Sequence, residues 1–167
     1  EALLVALMRK VMHLKMAYWE VALREAGDNV DAVNEADDFA GQFSMLISPK
    51  MYRRIVKPLH KELFDIIHAR TKAKLFFHSC GAIRPVIGDL IEIGVDILNP
   101  IQVSAAGMDT AELKRELGKD ITFWGGGVDT QRVLGSGTPD EVRADTRKRI
   151  EDLAPGGGFV FAAVHNI

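Results

Sequence analysis

A leading helix and then five short apolar runs, separated by four stretches of helical periodicity, predict an α/β fold built on parallel strands. Three observations carry this reading. The strand-like runs alternate with helix-like segments along the chain, so each neighbouring pair is joined by a right-handed crossover. The residues able to do chemistry (Asp37, Asp38, His78, Cys80, Asn99, Asp129 and His165) all fall at or just after the C-terminal end of a strand. Ligand sites gather at that edge in parallel α/β proteins. Finally, no Gly-x-Gly-x-x-Gly follows a strand and no Gly-Lys-Ser/Thr occurs. The triple-glycine runs at 125–127 and 156–158 therefore read as tight turns, not phosphate cradles, which disfavours an open nucleotide-binding sheet.

Taken in order, residues 1–26 read as a long amphipathic helix. Leu4, Leu7, Val11, Leu14, Tyr18 and Val21 recur at three- and four-residue spacing, and Gly27 is a natural stop. Met8, Met12 and Met16 form a stripe expected to pack in the core. Residues 30–36 are the first strand, running into Asp37-Asp38 and a loop at Gly41. Adjacent carboxylates at a strand end suit substrate binding or proton transfer, and equally a solvated loop or a helix cap. Ser48-Pro49 supplies an N-cap serine and a first-turn proline. The helix it opens is expected to break near Pro58 and resume to about residue 69, with His60 and His68 as surface or capping residues. Residues 74–79 form the second strand, 83–93 a helix ended by Gly94, and 95–98 the third strand, closed by Asn99-Pro100. A helix over 108–117 ends at Gly118, and a strand over 121–124 runs into the glycines. Thr138-Pro139-Asp140-Glu141 is a strong helix start, with a threonine cap and acidic residues at the positive end of the dipole. That helix runs to about residue 153, and residues 159–164 form the last strand, ending at His165.

The second strand carries the sharpest chemical signal. Leu75, Phe76 and Phe77 look like a strand buried on both faces that emerges at His78-Ser79-Cys80-Gly81. In an extended chain, side chains at i and i+2 point the same way, so imidazole and thiol stand side by side while Ser79 points away. One nitrogen and one sulfur donor suit a borderline-soft ion such as zinc. The same spacing also suits a buried cysteine beside a hydrogen-bonded histidine.

Bulk properties bound the rest. With 167 residues and 47% apolar composition, one globular domain with a real core is expected. A formal net charge of −2 offers no electrostatic case for nucleic acid or an anionic membrane. A single cysteine excludes an intrachain disulfide and fits a reducing, cytoplasmic setting. Charged residues interrupt every apolar run before it could span a bilayer. The chain starts in helical pattern and without Met, which points to a piece of a longer protein.

Several motifs together resemble the uroporphyrinogen decarboxylase superfamily. They are His78-Ser-Cys-Gly, Gly94-Val-Asp-Ile-Leu-Asn-Pro, Gly126-Gly-Val-Asp-Thr-Gln, Gly137-Thr-Pro-Asp-Glu-Val and Pro155-Gly-Gly-Gly-Phe-Val-Phe. Asp37-Asp38-Phe-Ala-Gly-Gln, Ile47-Ser-Pro-Lys-Met-Tyr and Lys57-Pro match its middle region. The resemblance implies a TIM (β/α)8 barrel, of which this chain, as a single domain, carries roughly strands four to eight. It also implies exposed strand edges and self-association of the isolated piece, with a homo-oligomer among the expected states. Two chemistries follow from it. Relatives with His-x-Cys at this strand end are cobalamin-dependent methyltransferases, in which zinc held by His, Cys and a later Cys activates a thiol. The decarboxylases convert uroporphyrinogen III to coproporphyrinogen without a cofactor.

The later cysteine is absent here, and His165 stands near that strand end instead. The resemblance thus implies His78, Cys80 and His165 as metal ligands, His165 and Asp38 as catalytic residues, and Asp37, Asn99, Gln102 and Asp129 as substrate contacts. His165 equally resembles a substrate-contacting histidine of the decarboxylases. Zinc is the implied metal and a corrinoid the implied methyl carrier, delivered by a corrinoid protein to or from a small-molecule substrate. A barrel that binds a tetrapyrrole or corrinoid without catalysis is a third class, which would not need the His–Cys pair.

Overall fold

In the three inner strands every second residue is large and apolar, and those residues form the buried side. In the computed structural model, which describes residues 1–165, five strands form one parallel sheet. They are β1 (Ala32–Ala36), β2 (Lys74–His78), β3 (Ile97–Asn99), β4 (Thr122–Trp124) and β5 (Phe159–Val160), and their spatial order follows the sequence. Val33, Leu75, Phe77, Leu98 and Phe123 point into the core shared with the helices. Phe76, His78, Ile97, Asn99 and Trp124 occupy the other face and are only half-buried. The expectation that 75–77 is buried on both faces thus holds for one face, because the helices pack against one side of the sheet. The register puts Ala36, His78 and Asn99 on one level of three adjacent strands.

The helices are α1 (Ala2–Ala26), α2 (Pro49–Met51), α3 (Lys57–Arg70), α4 (Arg84–Glu92), α5 (Thr110–Leu117) and α6 (Pro139–Leu153). Their starts follow the sequence signals. Ser48 Oγ accepts from Met51 N at 3.1 Å, Asp109 caps α5, and Thr138 with Glu141 forms a complete capping box at α6. The expected interruption near Pro58 is a π-helical turn over Tyr52–Val56, which joins α2 to α3 without ending the helix. Pro58 lies just beyond that turn, and the altered bonding accommodates a residue with no N–H to donate.

Two further expectations are corrected. Residues 161–164 lie outside β5. Gly125 and Gly126 adopt positive φ (91° and 80°), which bends β4's continuation and ends regular pairing. The chain nevertheless stays alongside, through Gly125 N to Val160 O (3.0 Å) and Gly127 N to Ala162 O (2.8 Å). In α1, the methionine stripe does face inward: Met12 is buried, and Met8, Met16 and Trp19 pack against the core. The six-residue stripe named above does not. Leu7 and Leu14 are 61% and 62% exposed, and Leu4, Val11, Tyr18 and Val21 are exposed with them. Apolar residues on two flanks of one helix allow only one flank to meet this sheet.

No helix among the described residues is long and apolar enough to cross a membrane. The exposed α1 stripe leads to a prediction. The isolated 167-residue chain is expected to self-associate, with sedimentation coefficients rising with concentration. Leu7→Lys combined with Leu14→Lys is expected to suppress that rise while leaving the helical circular dichroism unchanged. Concentration-independent sedimentation of the natural chain would count against it.

Candidate metal centre at the strand ends

His78 closes β2, and a turn through Ser79, Cys80 and Gly81 follows. Gly81 has φ +89°, and a Cβ there would lie 2.6 Å from Gly41 O, so the close approach of the loop after β1 demands glycine. That loop grips the turn at two further points: Cys80 N donates to Asp38 Oδ1 at 2.7 Å, and Ala82 N donates to Gly41 O at 2.9 Å. Gln102, after β3, accepts from Gly81 N through Oε1 at 2.7 Å and donates to Gln42 Oε1 at 2.7 Å. The turn is therefore held by backbone and side-chain bonds from both neighbouring strand ends.

The alternation expected of 78–80 is what the turn delivers. Cys80 Sγ lies 3.4 Å from His78 Nε2, while Ser79 is buried on the opposite side. The other imidazole nitrogen, His78 Nδ1, lies 2.7 Å from Asn99 Oδ1. His165 arrives from the end of the chain that follows β5, its ring centroid 6.4 Å from that of His78. One donor atom each from His78, Cys80 and His165 lies within 4.8 Å of the others.

These donors fit zinc. At the tetrahedral angle, zinc–nitrogen and zinc–sulfur bonds place N and S ligands about 3.3–3.6 Å apart. The His78–Cys80 edge already has that length, and exposed His165 lies within 4.8 Å of both. Burial, and secondarily the Asp38 charge, push the Cys80 thiol above its ordinary pKa. Without a cation beside it, the thiol stays protonated at neutral pH.

The remaining expected site residues divide. Asp38 and Gln102 bond directly to the turn at 79–81. Asn99 meets His78, and its amide nitrogen donates to Trp124 O at 3.1 Å, so its polar atoms are engaged within the protein. Asp129 is buried, and Oδ1 accepts from Gln131 N (2.9 Å) and Arg132 N (3.1 Å), shaping the loop before α6. Asp37 is tied to β2 by its backbone N–H, which donates to His78 O at 3.1 Å. Its side chain turns to His60.

His60 corrects the expectation of a surface or capping residue, whereas His68 is exposed and meets Gly94 O at 2.8 Å. His60 is 1% exposed, enclosed by Phe39, Tyr52, Phe64 and Phe77. Its Nε2 meets Asp37 Oδ2 at 2.9 Å, and Nδ1 lies 3.5 Å from Tyr52 Oη. Burial first, then the charges of Asp89 and Asp37, raise the Tyr52 pKa, so the phenol keeps its proton. A carboxylate only accepts, so Nε2 carries a hydrogen and donates it to Asp37. The signal lay in the spacing: His60 sits four residues from both Val56 and Phe64, inside the apolar stripe of its helix. Buried Glu35, bonded to Lys15 and Trp19 of α1, was also unmarked. Its signal is a carboxylate at a strand position that alternation reserves for the core.

The model of the uroporphyrinogen decarboxylase (URO-D) family matches residues 1–167. The chain belongs to the URO-D family. Among solved structures, a methyltransferase from Methanosarcina mazei superposes with a TM-score of 0.68 at 21% identity, over 93% of this chain and 41% of that one. The likeness is one of fold, and this URO-D chain spans less than half the neighbour's length. It places the five-stranded sheet within a TIM-barrel-like URO-D fold. No curated protein matches the chain.

Removing His60 tests the second cluster. Burial works to raise the Asp37 pKa, but the hydrogen bond and charge of His60, with the charge of Lys15, outweigh it and lower the value. A carboxylate with a depressed native pKa stabilises the fold above its unfolded pKa, and that stabilisation is lost as pH falls through the native value. His60→Phe is expected to flatten this acid-side loss, measured by urea unfolding between pH 2 and 7. At pH 7 its cost should be about 1 kcal/mol, below the roughly 1.5–3 kcal/mol of a charged hydrogen bond, because Asp37 keeps 46% of its side chain in water.

Proposed function

We propose that this chain carries the metal centre of a corrinoid-linked methyltransferase, in which His78, Cys80 and His165 hold zinc. The carrying observation is the convergence of two imidazoles and a thiol at the C-terminal edge of a parallel sheet. Three protein ligands are the number found in catalytic zinc sites, which keep a fourth position for substrate. The methyl group passes between a small methylated compound or thiol and a corrinoid borne by a partner protein. The name of the Methanosarcina structure, a methyltransferase, supports this class of reaction for a protein of the same fold.

Zinc bound there would supply Lewis acidity and lower the pKa of a bound thiol or water. The chain's own groups do the rest. Asp38 fixes the position of Cys80 through Oδ1, and Oδ2, with no protein donor among the described residues, is placed to take the proton that a thiol releases. Asp37, held ionised by His60 and Lys15, presents an orienting carboxylate at the same edge. Gln102 and Gln42 keep the Gly81 turn from relaxing.

A second reading has one observation in its favour. His165 is exposed, so in a cofactor-free decarboxylation it would be free to meet a carboxylated tetrapyrrole. The two readings part at Cys80.

In full-length protein, Cys80→Ser is expected to remove most bound zinc and most methyl transfer together, measured by elemental analysis and a corrinoid methylation assay. Zinc affinity should rise with pH and keep rising through neutrality. The ligands must shed protons to bind, and the Cys80 thiol, raised by burial and Asp38, is protonated there. Carbon dioxide release from uroporphyrinogen that survives both chelator and Cys80→Ser would overturn the zinc reading in favour of the decarboxylase.

A further inference from the structure

We infer that Asn99 is a positioning residue that sets the tautomer of His78, placing the ring proton on Nδ1 and leaving the Nε2 lone pair facing Cys80. The argument starts from an acceptor that cannot change role. The Trp124 carbonyl lies one residue beyond Leu98–Phe123, the last paired position between β3 and β4. A backbone carbonyl only accepts. The Asn99 group 3.1 Å from it must therefore be the amide NH2. That settles which way the amide faces, so its oxygen is the atom 2.7 Å from His78 Nδ1. An amide oxygen also only accepts, and Nδ1 must carry the hydrogen. Neutral imidazole has one proton, which leaves Nε2 bare. Nε2 is the nitrogen 3.4 Å from Cys80 Sγ.

The bond to Trp124 thus passes its direction through one side chain to a metal ligand on the next strand. Asn99 Oδ1 and Nδ2 each make one of these bonds, so the amide is fixed at both ends between His78 and Trp124. The tautomer assignment stands on these hydrogen bonds alone, while its effect on zinc rests on the reading proposed above. Outer partners of this kind fix the orientation of a ligating histidine and strengthen it as a donor.

The test uses full-length, 15N-histidine-labelled protein, the zinc ion as probe, and two variants. Long-range 1H–15N spectra of the metal-free natural protein are expected to show His78 protonated at Nδ1. Asn99→Leu should abolish that preference and weaken zinc binding about 10–100-fold against a chromophoric chelator. Asn99→Asp keeps an acceptor for Nδ1–H but sets an oxygen against Trp124 O. It should therefore lower thermal stability while holding zinc at least as well as the natural protein. A residue with a merely structural role would lose affinity and stability together. A proton on Nε2 in the natural protein overturns the inference, as does Asn99→Asp binding as weakly as Asn99→Leu. If Asn99→Leu does not fold, the natural spectrum and Asn99→Asp decide alone. A natural protein with the Nδ1 proton but no zinc affinity would sink the zinc reading and leave the tautomer assignment upheld.

Discussion

The two-residue period of β2 is the constraint from which the site follows. Leu75, Phe77 and Ser79 point toward the helices and are buried, so Phe76, His78 and Cys80 must point the other way. A one-residue slip would put imidazole and thiol into the hydrocarbon core and Phe77 into the open. Phe77 touches Phe39, His60 and Phe64, so the core holds that register from one side. From the other, parallel pairing levels His78 with Ala36 and Asn99. The chemistry at the strand ends depends on packing several residues away from it.

A second set of interactions steadies the first strand end. Lys15 and Trp19 reach from α1 to buried Glu35, and Lys15 lies 3.8 Å from Asp37. Asp37 in turn meets His60 of α3. Two helices are thus fastened by polar bonds to the strand end that supplies both carboxylates. A buried carboxylate with two donors is tolerable where an unpartnered one is not. This explains how β1 keeps Glu35 at a core position.

Much of this was legible in the sequence, because local rules and the global fold agree over most of the chain. The helix starts at Ser48 and Thr138, the strand alternation, and the His78–Cys80 pairing all follow from short-range geometry. What escaped depends on long-range partners. Nothing within reach of α1 shows which of its two apolar flanks meets the sheet. His60 reads as polar until the aromatic rings of distant segments enclose it. The bond from Asn99 to Trp124 likewise depends on a neighbouring strand that the local pattern does not identify. The shortness of β5 reflects the positive-φ glycines of β4's continuation, a cross-strand effect that the apolar run at 159–164 does not carry.

The strand order β1-β2-β3-β4-β5 also bears on how the chain reaches this state. Each strand pairs with the one made immediately before it, so no pairing waits on a distant segment. The entropy of closing each crossover is met one unit at a time, with the preceding strand's edge as template. A chain emerging from the ribosome can extend the sheet by accretion in the order it is synthesised. On that route His78 and Asn99 come together early, and His165, after the last strand, arrives only when the sheet beneath it exists. If His78, Cys80 and His165 hold zinc as proposed, the ion would bind only once His165 has joined the other two, and would favour that state over shorter intermediates.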